Sequence, residues 1–200
     1  MRAREGTTSD HLGDDVVASV EYQAIAAHYG DRAARRSGVP LMVHIDEGLW
    51  ILAQLGASAA TRRAWCLHPL AQDPPRLVDA EARLEMATDD PEVRMLALVY
   101  RHIANATLST RSIESSDDIV PPPRLETTQM LIADKVQNRK DFLRYHADTH
   151  PRRVELDRYF RLWCEHLGVT EDVFAWWCRA LDERSTARAT ASTRREADIV

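Results

Sequence analysis

Apolar residues recur along this chain at the three-and-four spacing of an α-helix, and no run alternates apolar and polar residues in the manner of a strand. That pattern predicts an all-α domain, and helix punctuation divides it. Asp14 or Asp15 is placed to cap a first helix carrying Val16, Val20, Ala24 and Tyr29. Gly30 and Gly38 bracket an arginine-rich connector, and a second helix over residues 43–55 sets Ile45, Leu49 and Leu52 on one face. Gly56 closes that helix, and Ser58 caps a third one bearing Trp65 and His68. Asp90-Pro91 combines an N-cap with a proline in the first turn, ahead of Val93, Leu96, Ala97, Tyr100 and Ala104.

Residues 109–124 hold acids, serines and Pro121-Pro122-Pro123, and read as a long loop able to act as a mobile flap beside a site. A long helix over residues 125–145 turns Thr128, Ile132 and Val136 inward. Pro151 starts the next, with Tyr159, Trp163 and Leu167; Gly168 ends it, and Thr170 caps a last helix bearing Val173, Phe174, Trp177 and Leu181. The division expected is a flexible N-terminus over residues 1–15, one helical domain over 16–184 and a disordered tail over 185–200, where Ser, Thr, Ala and Arg leave little to bury.

Two hundred residues suffice for one domain with a substantial core. A net charge of -5 argues against a protein that wraps nucleic acid. No apolar run reaches the roughly 20 residues that span a bilayer, and residues 1–15 lack the apolar stretch of a secretory signal. Cys66, Cys164 and Cys178 are odd in number and without metal-type spacing, so they read as buried, reduced thiols. These features together predict a cytoplasmic protein with no membrane partner.

Four short stretches carry the chemistry. They are Arg35-Arg36-Ser37-Gly38-Val39-Pro40 running into His44; Leu67-His68-Pro69; Gln72-Asp73; and Ala133-Asp134-Lys135-Val136-Gln137-Asn138. Asp134 and Asn138 are four apart and share a helical face. In this order and spacing the stretches resemble the active-site string of the HD-domain phosphohydrolases, most of all the alarmone hydrolases related to RelA and SpoT. The likeness covers roughly residues 20–170. It implies an HD-domain-like helical bundle in which His44, His68 and Asp134 hold a divalent Mn or Mg ion. It further implies that Arg35, Arg36, Ser37, Lys135 and Asn138 bind a nucleotide phosphate, and that Gln72 and Asp73 stand where the family acts on its attacking water. Without the resemblance, Arg35-Arg36 reads as a solvated basic turn and Asp134 as an ion pair with Lys135 or Arg139.

Two departures bear on activity. Pro69 stands where the family has an aspartate; it offers no carboxylate and no N–H, and is expected to break or kink the helix at His68. Gln72 replaces a carboxylate with an amide that cannot act as a base. Three readings follow: a variant metal-dependent hydrolase of a nucleotide phosphate with a weakly held ion, a pseudoenzyme that binds a phosphorylated nucleotide, and a helical interaction protein.

Overall fold

The computed structural model describes residues 14–108 and 113–197, with side chains from 15 to 108 and 113 to 187. Among them the chain is all-α: nine α-helices and no strand. They are α1 (Asp14–Val17), α2 (Val20–Tyr29), α3 (Met42–Gln54), α4 (Ala59–Gln72), α5 (Leu77–Ala87), α6 (Pro91–Ala106), α7 (Leu125–Tyr145), α8 (Arg153–His166) and α9 (Glu171–Ala197).

The local signals work as their chemistry requires. Ser58 Oγ accepts from Thr61 N at 3.1 Å, and Asp90 Oδ1 accepts from Glu92 N and Val93 N at 2.9 and 3.3 Å. Gly56 and Gly168 end α3 and α8 with φ of 66° and 70°, a left-handed conformation that costs glycine nothing. The expected first helix is instead split, because Ser19 caps α2 anew through a bond from Tyr22 N.

The centre of the bundle is α4, which packs against α2, α3, α5, α6 and α7. Its residues 64–71 are all buried. The approach of α3 is set by Gly48, over which the Trp65 indole lies; the Trp65 N–H then donates to the Ile45 carbonyl at 3.0 Å. A side chain on residue 48 would collide with that ring, so the glycine fixes how near His44 comes to His68.

The helix break expected at His68-Pro69 does not occur. α4 stays helical from Ala59 to Gln72, and Asp73 N donates to the Pro69 carbonyl at 3.0 Å. A proline deletes one bond from a helix and tertiary packing can carry it through; here burial of α4 on several neighbours does so. The last helix also differs from expectation, since its backbone continues past Arg184 to Ala197. The expected flexible N-terminus falls outside the described residues except at Asp14 and Asp15, which begin α1.

The loop after α6 is described from residue 113. It holds a 3-10 turn, Ser116–Asp118, closed by reciprocal capping between Ser115 and Asp118. α8 pins it: Arg158 donates to the Glu114 carbonyl at 2.7 Å, and His166 Nδ1 donates to the Ser116 carbonyl at 3.0 Å. No helix among the described residues is long and apolar enough to cross a membrane.

Candidate functional site

Three helices deliver one donor each to a common point. His44 comes from the first turn of α3, His68 from α4 and Asp134 from the middle of α7. His44 Nε2 lies 3.2 Å from His68 Nε2 and 3.8 Å from Asp134 Oδ1, and one ligand atom from each residue falls within 4.8 Å of the others. Two donors bound to one ion at about 2.1 Å can stand at most about 4.2 Å apart, so the first two separations suit a shared cation. His68 and Asp134 are buried and His44 is partly open.

Each member is held from behind. His68 Nδ1 donates to the Trp65 carbonyl at 2.6 Å, and its ring stacks on the Trp65 indole with centroids 4.0 Å apart. His44 Nδ1 donates to Gln137 Oε1 at 2.6 Å. Gln137 Nε2 donates in turn to Glu47 Oε2 at 3.2 Å and Asp141 Oδ2 at 2.8 Å, and Lys140 Nζ pairs with both carboxylates at 2.9 and 3.1 Å. Asp134 accepts from Asn138 Nδ2 at 2.7 Å and from Lys135 Nζ at 2.7 Å. The Tyr100 hydroxyl is buried close by Asp134 but short of a well-formed hydrogen bond.

Burial dominates the electrostatics here. It pushes His68 down to about 3, so the imidazole is neutral and free to ligate. Burial would raise the Asp134 carboxyl, but the Lys135 ammonium beside it is the main influence that holds it below the usual carboxylate value. Burial pulls Lys135 down, and Asp134 more than reverses this, so both partners are ionised.

The residues expected from the sequence divide clearly. His44, His68 and Asp134 converge, and Asn138 joins them as a support for the carboxylate. Lys135 is in the group, but its ammonium is buried between Asp134 and the Trp163 ring, 4.8 Å from that ring's centroid. It therefore neutralises Asp134. Gln72 ends α4 half-buried, and Asp73 is exposed beyond it, outside the donor group. The field of Asp73 falls on His28 and Tyr29 at the end of α2. Burial together with Asp73 raises the Tyr29 phenol to about 12.

Arg35 and Arg36 are exposed on the turn between α2 and α3, whose Gly38 has a φ of 71°. The Ser37 hydroxyl accepts from Val39 N within that turn at 3.3 Å. Arg36 lines an open pocket of about 380 Å³ with Tyr145, His146, Thr149, His150 and Pro151. This pocket meets the C-terminal end of α7, whose Tyr145 lies about 16 Å along the axis from Asp134 at 1.5 Å per residue. Sequence reasoning missed Gln137, Glu47, Lys140, Trp65 and Tyr100. The i, i+4 spacing of Gln137 and Asp141 was the one available hint, and it resembles any polar helical stripe.

No protein-family model, no curated protein and no solved structure matches this chain. The fold and the cluster therefore define the protein by themselves: an all-α bundle with two histidines and an aspartate gathered at the meeting of three helices.

Proposed function

We propose that the protein is a metal-dependent phosphohydrolase of the HD type acting on a nucleotide phosphate. The observation that carries the reading is the convergence of His44 Nε2, His68 Nε2 and Asp134 Oδ1 from three separate helices. A packing role would not gather two imidazole lone pairs and a carboxylate oxygen in this way. The donor set fits a divalent transition ion. Two imidazoles favour Mn²⁺ over Mg²⁺, whose preferred ligands are oxygens. Asp134 is already neutralised by Lys135, so the ion is expected to be weakly held. A bound divalent ion would supply Lewis acidity and a more acidic water beside the phosphate. Lys135 and Asn138 hold the carboxylate in place, and the Tyr100 hydroxyl stands ready for a polar group entering the site.

The basic pocket at Arg36 supports the nucleotide part of the reading. Arg36, His146 and His150 line one opening, and among the described residues Arg36 forms no ion pair with a carboxylate. A guanidinium beside imidazole rings in such an arrangement suits phosphate oxygens, with Arg36 supplying the charge.

A second reading, a nucleotide-binding pseudoenzyme, is favoured by one specific observation. Asp73, the carboxylate expected to act on water, is exposed and outside the donor group. Calorimetric titration with Mn²⁺, followed by a screen of nucleotides for phosphate release with Mn²⁺ added, separates the two. Turnover that is lost in His44→Ala supports the hydrolase. Metal and nucleotide binding without turnover supports the pseudoenzyme. Absence of both removes the metal-centre reading.

A further inference from the structure

We infer that Pro69 and Gln137 are positioning residues: they fix both histidines of the cluster with the proton on Nδ1, so that both Nε2 lone pairs converge beside Asp134. The consequence for metal affinity rests on the metal-centre reading above, whereas the tautomers themselves do not.

The argument for Pro69 begins with the helix. In an unbroken α-helix the N–H of residue 69 would donate to the carbonyl of Trp65. Proline has no N–H, yet α4 continues through it, so that buried carbonyl is left without its helical donor. An unmatched buried carbonyl is costly. His68 Nδ1 sits 2.6 Å from this same oxygen. A carbonyl oxygen only accepts, so the ring must carry its proton on Nδ1. Stacking on Trp65 and an edge contact with Tyr100, centroids 5.1 Å apart, keep the ring in that orientation. The residue that departs from the family pattern thus frees the acceptor that orients the neighbouring ligand.

His44 is fixed by different means with the same result. Its Nδ1 meets Gln137, whose amide orientation is set by two carboxylates. Glu47 and Asp141 both take hydrogen bonds from Gln137 Nε2, so Oε1 faces the imidazole. Turning the amide over would aim oxygen at both carboxylates. Lys140 holds Glu47 and Asp141 in turn.

The two rings then present bare Nε2 atoms 3.2 Å apart with no proton between them. Two lone pairs at that distance repel, and a cation next to Asp134 relieves the repulsion. Support of this kind, on the ring nitrogen opposite the ligand atom, is worth about 10- to 100-fold in metal affinity.

The test is the tautomer of each histidine in ¹⁵N-labelled protein treated with chelator, read from two-bond nitrogen–proton correlations. Both His44 and His68 are expected as the Nδ1–H form. In Pro69→Ala the restored N–H competes for the Trp65 carbonyl, and His68 alone is expected to gain the Nε2–H form. In Gln137→Met only His44 is expected to change, and Gln137→Glu, which keeps an acceptor oxygen, is expected to restore it. Mn²⁺ affinity by calorimetry should fall about 10- to 100-fold in Pro69→Ala and Gln137→Met with helical circular dichroism intact. An Nε2–H form for either ring in the natural protein overturns the inference, whether or not any variant folds. So do tautomers that ignore both substitutions. If the tautomers are as expected and no form binds Mn²⁺, the metal-centre reading fails while the positioning stands.

Discussion

Replacing Gly48 with alanine should both weaken the fold and separate the histidines. A Cβ on residue 48 would sit 2.1 Å from Trp65 Cζ2 and 2.4 Å from Cε2. Carbon atoms in contact rest about 3.5–4.0 Å apart, so α3 and the indole must part by roughly 1.5 Å. Trp65 is fully buried in the middle of α4 and has no room to turn. Overpacking of this kind costs about 1–3 kcal/mol. Alanine recovers about 0.5–1 kcal/mol of helix preference over glycine, which leaves a net loss of about 0–2.5 kcal/mol. The same displacement carries His44 away from His68. Their Nε2 separation would grow from 3.2 Å to roughly 4.7 Å, beyond the roughly 4.2 Å that two nitrogens on one ion can span. Urea denaturation with calorimetric Mn²⁺ titration reads both effects. A Gly48→Ala protein that matches the parent in stability and metal affinity would refute the account of how α3 and α4 meet.

Further outcomes follow from the charges. Lys135→Met leaves Asp134 buried without its ammonium and is expected to cost about 3–5 kcal/mol in chemical denaturation; the double variant Asp134→Leu, Lys135→Met should recover much of that, and equal losses in both would contradict the pairing. Tyr29 ionises near 10 when unfolded and near 12 in the folded protein. Its contribution is therefore complete below pH 10 and is lost as pH rises toward about 12, because the unfolded chain releases the proton first. Alkaline unfolding should show that slope, Tyr29→Phe should make it shallower, with the buried Tyr100 phenol and the Cys178 thiol among the groups supplying the remainder, and Asp73→Asn should lower the Tyr29 phenol pKa; an unmoved pKa would mean that Asp73 does not face Tyr29. Arg36→Ala is expected to weaken nucleotide binding about tenfold, near the low end of the roughly 1.5–3 kcal/mol of a charged hydrogen bond, and an unchanged titration would return Arg36 to the solvent.

The sequence by itself determined the helical class and most of the helix ends. Caps such as Ser58, Asp90-Pro91 and Thr170, and terminators such as Gly56 and Gly168, act within one turn, so their signals are local and survive any tertiary arrangement. It missed α5, which buries only Ala80 and Leu84 and so shows little periodicity. It also stopped α9 too early, because nothing after Arg184 marks a core-facing stripe. Among site residues, His44, His68 and Asp134 were legible as a set through the order of their flanks. What only the tertiary structure decided is what those residues do to one another. The resemblance makes Lys135 a nucleotide-phosphate ligand, whereas its burial beside Asp134 makes it that carboxylate's neutraliser. The resemblance places Asp73 beside the attacking water, whereas the end of α4 leaves it exposed with its field on Tyr29. Pro69 reads as a helix breaker because propensity counts only the lost bond. The packed bundle carries α4 through the proline, and the carbonyl that Pro69 leaves unpaired is taken by the ring of His68.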